Sequence, residues 1–381
     1  METGIRIGNC IVGGGRPAYI VAEMSANHHN DFREAVRILE AAREAGADAV
    51  KIQTYRADSL TIDCDREAFR IKDTLWGGRT LYDLYAEAAT PWEWQPELKQ
   101  IAGRLGMDLF SSPFDGEAVD FLERMEVPAY KVASFEIVDI GLIEKMAATG
   151  KPLILSTGMA SEAEIGEALE AARRAGSTQQ ILLKCTSAYP APPESMNLRT
   201  LPAMAAAFGV PAGISDHTLG IAVPVAAVAL GACLVEKHFT LSRSIAGPDS
   251  AFSLEPQEFQ AMVDAVRTAE KALGGIRYGI GPAEDKSLVF RRSLFVVADV
   301  KAGERFSGRN LRSIRPGYGL PPRHLPQILG RRARIDIERG TPLGWHMIDE
   351  THHHAGASLE RGDKVHEGSQ ALQPLPPAGN P

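Results

Sequence analysis

The chain has 381 residues, 44% of them hydrophobic and 23% charged, with a formal net charge of −7. This is the composition of a folded globular protein, long enough for one large α/β domain and a smaller one, and it excludes a chain that is disordered throughout. The charge is mild and spread out, with no basic block to track a phosphodiester backbone, so nucleic acid is excluded as a partner.

In chain order, the opening "METGIRIGNC" lacks a basic segment followed by an apolar core, and no signal peptide is expected. Short runs rich in Val, Ile and Leu then recur. They are Ala18 to Glu23, Asp48 to Gln53, Met107 to Ser112, Ala129 to Ser134, Pro152 to Thr157, Ile181 to Thr186, Pro211 to His217 and Cys233 to His238. Between them lie stretches of helical period, such as Ala35, Ile38, Leu39 and Ala42, closed by Gly46. Eight strand and helix pairs over about 250 residues predict a (β/α)8 TIM barrel. A doubly wound open sheet is the competing layout. The barrel is favoured because Glu23, Lys51, Gln53, Ser112, Lys131, Ser134, Thr157, Lys184, Ser215, His217, Glu236 and His238 all stand at or near the carboxyl end of a run, and a barrel converges those ends on one mouth.

The connection from Thr54 to about Pro91, containing "TLWGGRTLYDLY", is too long for a plain βα loop and reads as a lid or binding loop, with a decorative insertion as the alternative. The longest apolar run, Ile221 to Val235, contains Pro224 and falls short of the roughly 20 residues that a membrane helix needs, so no membrane span is expected. Cys10, Cys64, Cys185 and Cys233 are too scattered for a disulfide framework or a metal knuckle; reduced thiols and a cytoplasmic location are expected. The barrel domain is assigned to residues 1–275 and a polar linker to 276–290. A small β-rich domain follows at 291–350, where Asp299 to Phe306 and Asp336 to Leu343 share the pattern D-[VI]-x-x-G-x-x-[FL]. The Gly- and Pro-rich tail 351–381, with His352, His353 and His354, is expected to be disordered.

Period-two alternation puts Ser215 with His217 on one face of the seventh strand, and Glu236 with His238 on one face of the eighth. Either histidine alone reads as a hydrogen-bonded core or rim residue. Matched on neighbouring strands, the two imidazoles suit a divalent metal of catalytic type, with positions left for water and substrate oxygens. Mn²⁺, Mg²⁺ and Co²⁺ all satisfy such ligands. Lys51 and Lys131, with Ser112, Ser134 and Ser215 as hydroxyl donors, suit phosphate and carboxylate groups; the competing reading pairs each lysine with a carboxylate at the rim. Glu23 and Glu136 stand among these cations and suit proton transfer, or ion pairing only.

The stretches "IVAEMSANH", "GADAVKIQTY", "FSSPFD", "YKVASFE", "LSTGMA", "KCTSAYPAP", "GISDHT", "VEKHFT" and "GPDSAFS" resemble the NeuB-type phosphoenolpyruvate-condensing synthases of nonulosonic (sialic-type) acids. Leu294 to Ile348, with "IRPGYG", is similar to the small antifreeze-like (SAF) domain that ends those enzymes, and the long insertion looks like that of the pseudaminic acid branch. The resemblance implies condensation of phosphoenolpyruvate with an N-acetylated amino sugar, an open-chain 2,4-diacetamido-2,4,6-trideoxyhexose, and water, giving a nine-carbon 2-keto acid and phosphate by C–O cleavage. It implies Lys51, Ser112, Lys131, Ser134, Ser187 and Ser215 on phosphoenolpyruvate, a divalent metal on His217 and His238, and Glu23 and Glu136 as catalytic carboxylates, Glu136 foremost as acid/base. Glu23 is also implied on the sugar side, with Gln53, Tyr189 and Asp249. Arg315 is implied to reach the partner's site in a domain-swapped homodimer. Two departures stand out: the family's Asn-His-Asn-Gly motif here reads Asn27-His28-His29-Asn30, and Ser187 replaces an asparagine common in the sialic acid branch. Two rival readings are a Schiff-base aldolase using Lys51, Lys131 or Lys184 as nucleophile, and a non-catalytic carbohydrate-binding protein; N-acetylneuraminate and legionaminate synthases are the neighbouring branches.

Overall fold

The computed structural model describes residues 4–349 other than Asp73. The expected tail and its three histidines lie outside the described residues. The chain divides into two compact units after Gly275.

The first unit opens with a hairpin, β1 (Ile5–Ile7) and β2 (Cys10–Val12), paired antiparallel. Then come β3 (Tyr19–Glu23), β4 (Ala49–Thr54), β5 (Asp108–Pro113), β6 (Tyr130–Val132), β7 (Leu153–Ser156), β8 (Gln180–Cys185), β9 (Ala212–Asp216) and β10 (Leu234–His238). These eight pair in parallel, each with the next, and β10 closes on β3. The predicted barrel is thereby found, and the eight apolar runs are its staves.

Parallel strands in a barrel are covered on both faces, which is why these runs are almost continuously apolar. One set of side chains, including Ile20, Val50, Leu109, Val132, Leu155, Leu182, Ile214 and Val235, packs outward under the helices. The alternate set, including Val21, Ala49, Phe110, Ile154, Ile181 and Leu234, fills the interior together with Ile5, Ile7 and Val12 of the hairpin. The hairpin therefore plugs the barrel at the end where the strands begin, which the sequence reading did not anticipate. Helices start soon after the strands and are capped by side chains: Asp31 accepts from the N–H groups of Arg33 and Glu34, Asp115 from Ala118, Asp139 from Leu142, and Ser161 from Glu164 in a capping box. These caps fix where each strand gives way to its loop, and so where each strand-end side chain stands.

In the second unit, β11 (Ser293–Val296) pairs antiparallel with β12 (Leu311–Ile314) over a core that includes Leu294, Val300, Phe306, Ile337 and Leu343. The two copies of the repeat face one another. Val300 and Ile337 exchange both backbone hydrogen bonds, at 2.9 and 2.8 Å. Asp336 accepts from the Ala302 N–H, and Asp299 accepts from the Arg339 N–H, both at 2.8 Å. Gly303 and Gly340 sit at matched positions with φ of 80° and 92°, a region that glycine enters without steric cost. The pattern D-[VI]-x-x-G-x-x-[FL] is thus a two-fold device: each aspartate caps the other copy's turn while the last apolar residue is buried.

Candidate active site

Strand register builds the site. His238 lies beside Glu23, Glu23 beside Lys51, and Glu236 beside Ser215. All of them point inward and all are buried. At the centre is Glu236: its Oε1 stands 3.5 Å from both Lys51 Nζ and Lys131 Nζ and accepts from Ser215 Oγ at 3.1 Å. Lys51 Nζ also pairs with Glu23 Oε2 at 2.7 Å.

Burial opposes every charge here, and the balance differs from group to group. It pulls the Lys51 ammonium down, but Glu23 and Glu236 together more than offset it and hold Lys51 above its usual value. Burial wins at Lys131, which is lowered. Glu236 would be raised by burial, yet Lys131 and Lys51 hold it below the usual carboxylate range. Glu23 has only Lys51 at close range, so burial pushes it up to about 7. Both ammonium groups come no nearer than 3.5 Å to Glu236, so each keeps N–H donors for an anionic ligand.

Hydroxyls and an N–H complete an anion cradle. Ser112, Ser156 and Ser187 have buried Oγ atoms with no hydrogen-bond partner among the described residues. The Gly158 N–H donates to Ser134 Oγ at 3.2 Å, and a Cβ at Gly158 would come within 2.2 Å of Ser187 Oγ and 2.7 Å of Ser134 Oγ. Glycine keeps that concavity open. Glu136 follows in the turn Ser134–Glu136; its Oε2 is buried without a partner among the described residues, and burial pushes its carboxyl up to about 7.

The other half of the mouth is aromatic. The imidazoles of His217 and His238 lie 5.3 Å apart between centroids. Tyr189 packs on His217 at 4.4 Å, and Phe252 on His238 at 4.9 Å. Burial and the cations around it hold His238 well below the usual histidine range. His217 Nδ1 is 3.0 Å from the Thr186 carbonyl, which can only accept, so Nδ1 carries a proton and Nε2 is the ring nitrogen left for a ligand. Burial pulls this imidazole down, but Cys185, Thr186 and Glu236 hold it above the usual histidine range, so a cation would bind there in competition with a proton. His238 Nδ1 is buried with no partner among the described residues. Two imidazole nitrogens facing one another suit a divalent cation, and a carbonyl behind the first ring is the usual way such a ligand is oriented. Among the described residues no cluster of three or more His, Cys, Asp or Glu side chains suits a metal, so the remaining ligands would come from water and substrate oxygens.

Gln53 donates to Ser25 Oγ at 2.9 Å and to Glu23 Oε1 at 3.4 Å, and the buried Asp249 accepts from the Ala26 N–H at 3.4 Å. The loop that departs from the family motif takes a defined shape. His29 and Asn30 both adopt left-handed conformations, φ 49° and 55°, which asparagine tolerates and which His29 holds with a bond to Glu34 at 3.2 Å.

Residues 38–278 match the model of the NeuB family, and residues 291–349 match that of the SAF domain. The chain belongs to the NeuB family. Its relatives include the pseudaminic acid synthases of Campylobacter jejuni, 46% identical over 328 residues that cover 86% of this chain and 96% of the relative, and of Helicobacter pylori, 44% identical over 337 residues, 88% and 99%. Among solved structures, the N-acetylneuraminic acid synthetase of Leptospira borgpetersenii superimposes with a TM-score of 0.67 at 31% identity, covering 75% of this chain and 95% of that one. The spore coat polysaccharide biosynthesis protein SpsE of Bacillus subtilis does so at 0.62 and 33%, covering 92% and 100%.

Of the residues singled out in the sequence, this NeuB barrel brings Glu23, Lys51, Gln53, Ser112, Lys131, Ser134, Glu136, Ser187, Tyr189, Ser215, His217, His238 and Asp249 to its mouth or interior. Arg315 is exposed in the second unit, just after β12. Lys184 points the other way: its neighbour Leu182 belongs to the outer layer, and its Nζ donates to the Cys185 carbonyl at 2.8 Å. Two members of the ring went unassigned. Glu236 was noted at a strand end but given no role, although it shares the inner face with His238. Ser156 lies on the inner face of β7 with Ile154, whereas the neighbouring Thr157, noted instead, donates to the Leu183 carbonyl.

Proposed function

We propose that the chain is a pseudaminic acid synthase, condensing phosphoenolpyruvate with 2,4-diacetamido-2,4,6-trideoxy-L-altrose and water to give pseudaminic acid and phosphate. The observation that carries this is the division of one barrel mouth into an anion cradle around Lys51 and Lys131 and an aromatic half around the two histidines. Identity of 44–46% to pseudaminic acid synthases over most of the chain selects this branch; legionaminic acid synthases are 35–36% identical.

Lys51, Lys131 and the serines bind the phosphate and carboxylate of phosphoenolpyruvate, orienting its carbon 3 toward the sugar aldehyde. A divalent cation held by His217 and His238 would supply a Lewis acid for the aldehyde oxygen. Carbon 3 bonds to the aldehyde carbon as its C=O opens to an alkoxide, and the positive charge left on carbon 2 is captured by water, whose proton passes to a carboxylate at the mouth and from there to the alkoxide. Glu136, raised by burial to about 7, titrates in the neutral range and suits that task. Collapse of the tetrahedral intermediate breaks the C–O bond and releases phosphate. The protein acts as a homodimer in the cytoplasm. Phe135, Val138, Met159 and Leu219, 56–69% exposed in loops that follow β6, β7 and β9, offer an apolar rim for the partner's small domain, which brings Arg315.

Phosphate release from phosphoenolpyruvate, measured with a panel of N-acetylated sugars with and without EDTA, tests the reading. The diacetamido sugar is turned over and EDTA stops it; preferential use of N-acetylmannosamine would move the chain to the neighbouring branch. A chain carrying Arg315→Ala, mixed with one carrying His217→Ala, regains activity if sites are shared between subunits.

A further inference from the structure

Trp76 stands at the tip of a small excursion within the long connection after β4. An antiparallel bridge between Arg70 and Thr80, and hydrogen bonds Ile71 N to Arg79 O and Gly78 N to Ile71 O, close its base. The residues flanking Trp76 in the tip are exposed, while Trp76 is partly buried. Its indole Nε1–H donates to the Pro248 carbonyl, in the loop after β10, at 2.8 Å. Its ring lies 5.6 Å from that of Tyr189, in the loop after β8. β4 and β8 are diametrically opposite in the barrel order, so the connection after β4 carries Trp76 across to the ring that packs on His217.

We propose that Trp76 is the specificity residue for carbon 6 of the sugar, accepting the methyl of a 6-deoxy substrate and rejecting a hydroxymethyl. The inference rests on the synthase reading above. An aldehyde placed at the histidine pair leaves carbon 6 about 6 Å away along an extended chain. Trp76 stands at the same mouth with Tyr189 between it and His217, its ring 5.6 Å from Tyr189 and that of Tyr189 4.4 Å from His217. The single polar atom of the indole is spent on Pro248, so what remains for the substrate is an apolar face. A methyl group packs on it; a hydroxyl loses water and gains no partner there.

The test compares kcat/KM for the 2,4-diacetamido-2,4,6-trideoxyhexose with that for its 6-hydroxy counterpart of the same configuration. Wild type is expected to prefer the 6-deoxy sugar by about 100-fold, the scale on which an apolar pocket rejects an added hydroxyl. Trp76→Ala brings the ratio down to a few-fold with KM for phosphoenolpyruvate unchanged, whereas Trp76→Phe, which keeps the apolar face, retains most of it. Trp76→Gln offers the hydroxyl a partner and also lowers the ratio, which serves if the alanine variant is not recovered folded. An unchanged ratio in the alanine or glutamine variant overturns the proposal, and so does equal use of both sugars by wild type, which leaves the synthase reading standing. Failure of wild type to use either diacetamido sugar would overturn both.

Discussion

Asp216 on β9 and Lys237 on β10 form a wholly buried ion pair, 2.5 Å apart, on the outer face of the barrel and one residue before each histidine. The Asp216 carboxylate also accepts from the Thr218 N–H at 2.9 Å and its hydroxyl at 3.1 Å, and Lys237 donates to the Thr218 carbonyl. Each of these neighbouring strands therefore sets a charged residue directly before its histidine because adjacent residues point opposite ways: the histidines face the mouth while the acid of one strand and the base of the other tie the strands together behind them. Asp216→Ala leaves an ammonium buried alone and is expected to cost about 3–5 kcal/mol, a fall in Tm on the order of 10 °C. The double variant Asp216→Asn, Lys237→Met keeps shape without charge and should unfold near the wild-type temperature. Calorimetry on the three proteins decides it; equal loss in the single and double variants contradicts the pairing.

Lys131 has a narrower task. Its ammonium faces Glu236, which keeps Lys51 and Ser215 as partners when Lys131 is gone. Lys131→Met is therefore expected to fold, and to raise KM for phosphoenolpyruvate by about 10–100-fold, the worth of one charge-assisted hydrogen bond. KM for the sugar should be unchanged. Initial rates with each substrate varied in turn separate the two, and a rise confined to the sugar would remove Lys131 from the anion cradle.

Strand staves were legible because residues covered on both faces form unbroken apolar runs, and such a run turns polar where the strand leaves the core. What period-two alternation leaves open is phase. At β7 the choice between Ser156 and Thr157 turns on a one-residue shift, and Thr157 is the one that belongs to the wall. Lys184 illustrates the same parity. The hairpin Ile5 to Val12 escaped notice because three-residue strands are shorter than any periodicity test. Glu236 gained its meaning only from lateral neighbours, Ser215 beside it and two lysines across the barrel, which linear order does not show. Trp76 could be placed in a long catalytic-face loop, but its reach to Tyr189 and Pro248 is a matter of tertiary structure.

Glu136 provides a pH test with a definite sign. Burial raises its carboxyl from an ordinary 4.5 to about 7, against the pull of Lys131 and Lys51. Between those values the folded chain holds a proton that the unfolded chain has released, so this group's contribution to stability is complete below about 4.5 and is lost as pH rises through about 7. Glu136→Gln carries no such cost. Its Tm should match wild type near pH 4.5 and exceed it at pH 8, while kcat falls by about 10²–10⁴-fold from loss of proton transfer. Identical Tm differences at the two pH values would show that the carboxyl is not buried as described.

The histidine pair can be tested without turnover. With Nδ1 of His217 committed to Thr186, Nε2 is the nitrogen that faces a ligand, and His238, held neutral by burial, offers a second ring 5.3 Å away. Metal-stripped wild type is expected to bind Mn²⁺, seen as loss of the free-ion electron paramagnetic resonance signal, and to gain about 2.7 kcal/mol of stability when Mn²⁺ is present at a hundred times its Kd. His217→Asn and His238→Asn should each abolish both effects, because two protein nitrogens are few enough that neither is dispensable. Thr186 acts through its backbone and cannot be deleted, but a wild-type response retained by both asparagine variants would place the cation elsewhere and leave the rings to pack against Tyr189 and Phe252.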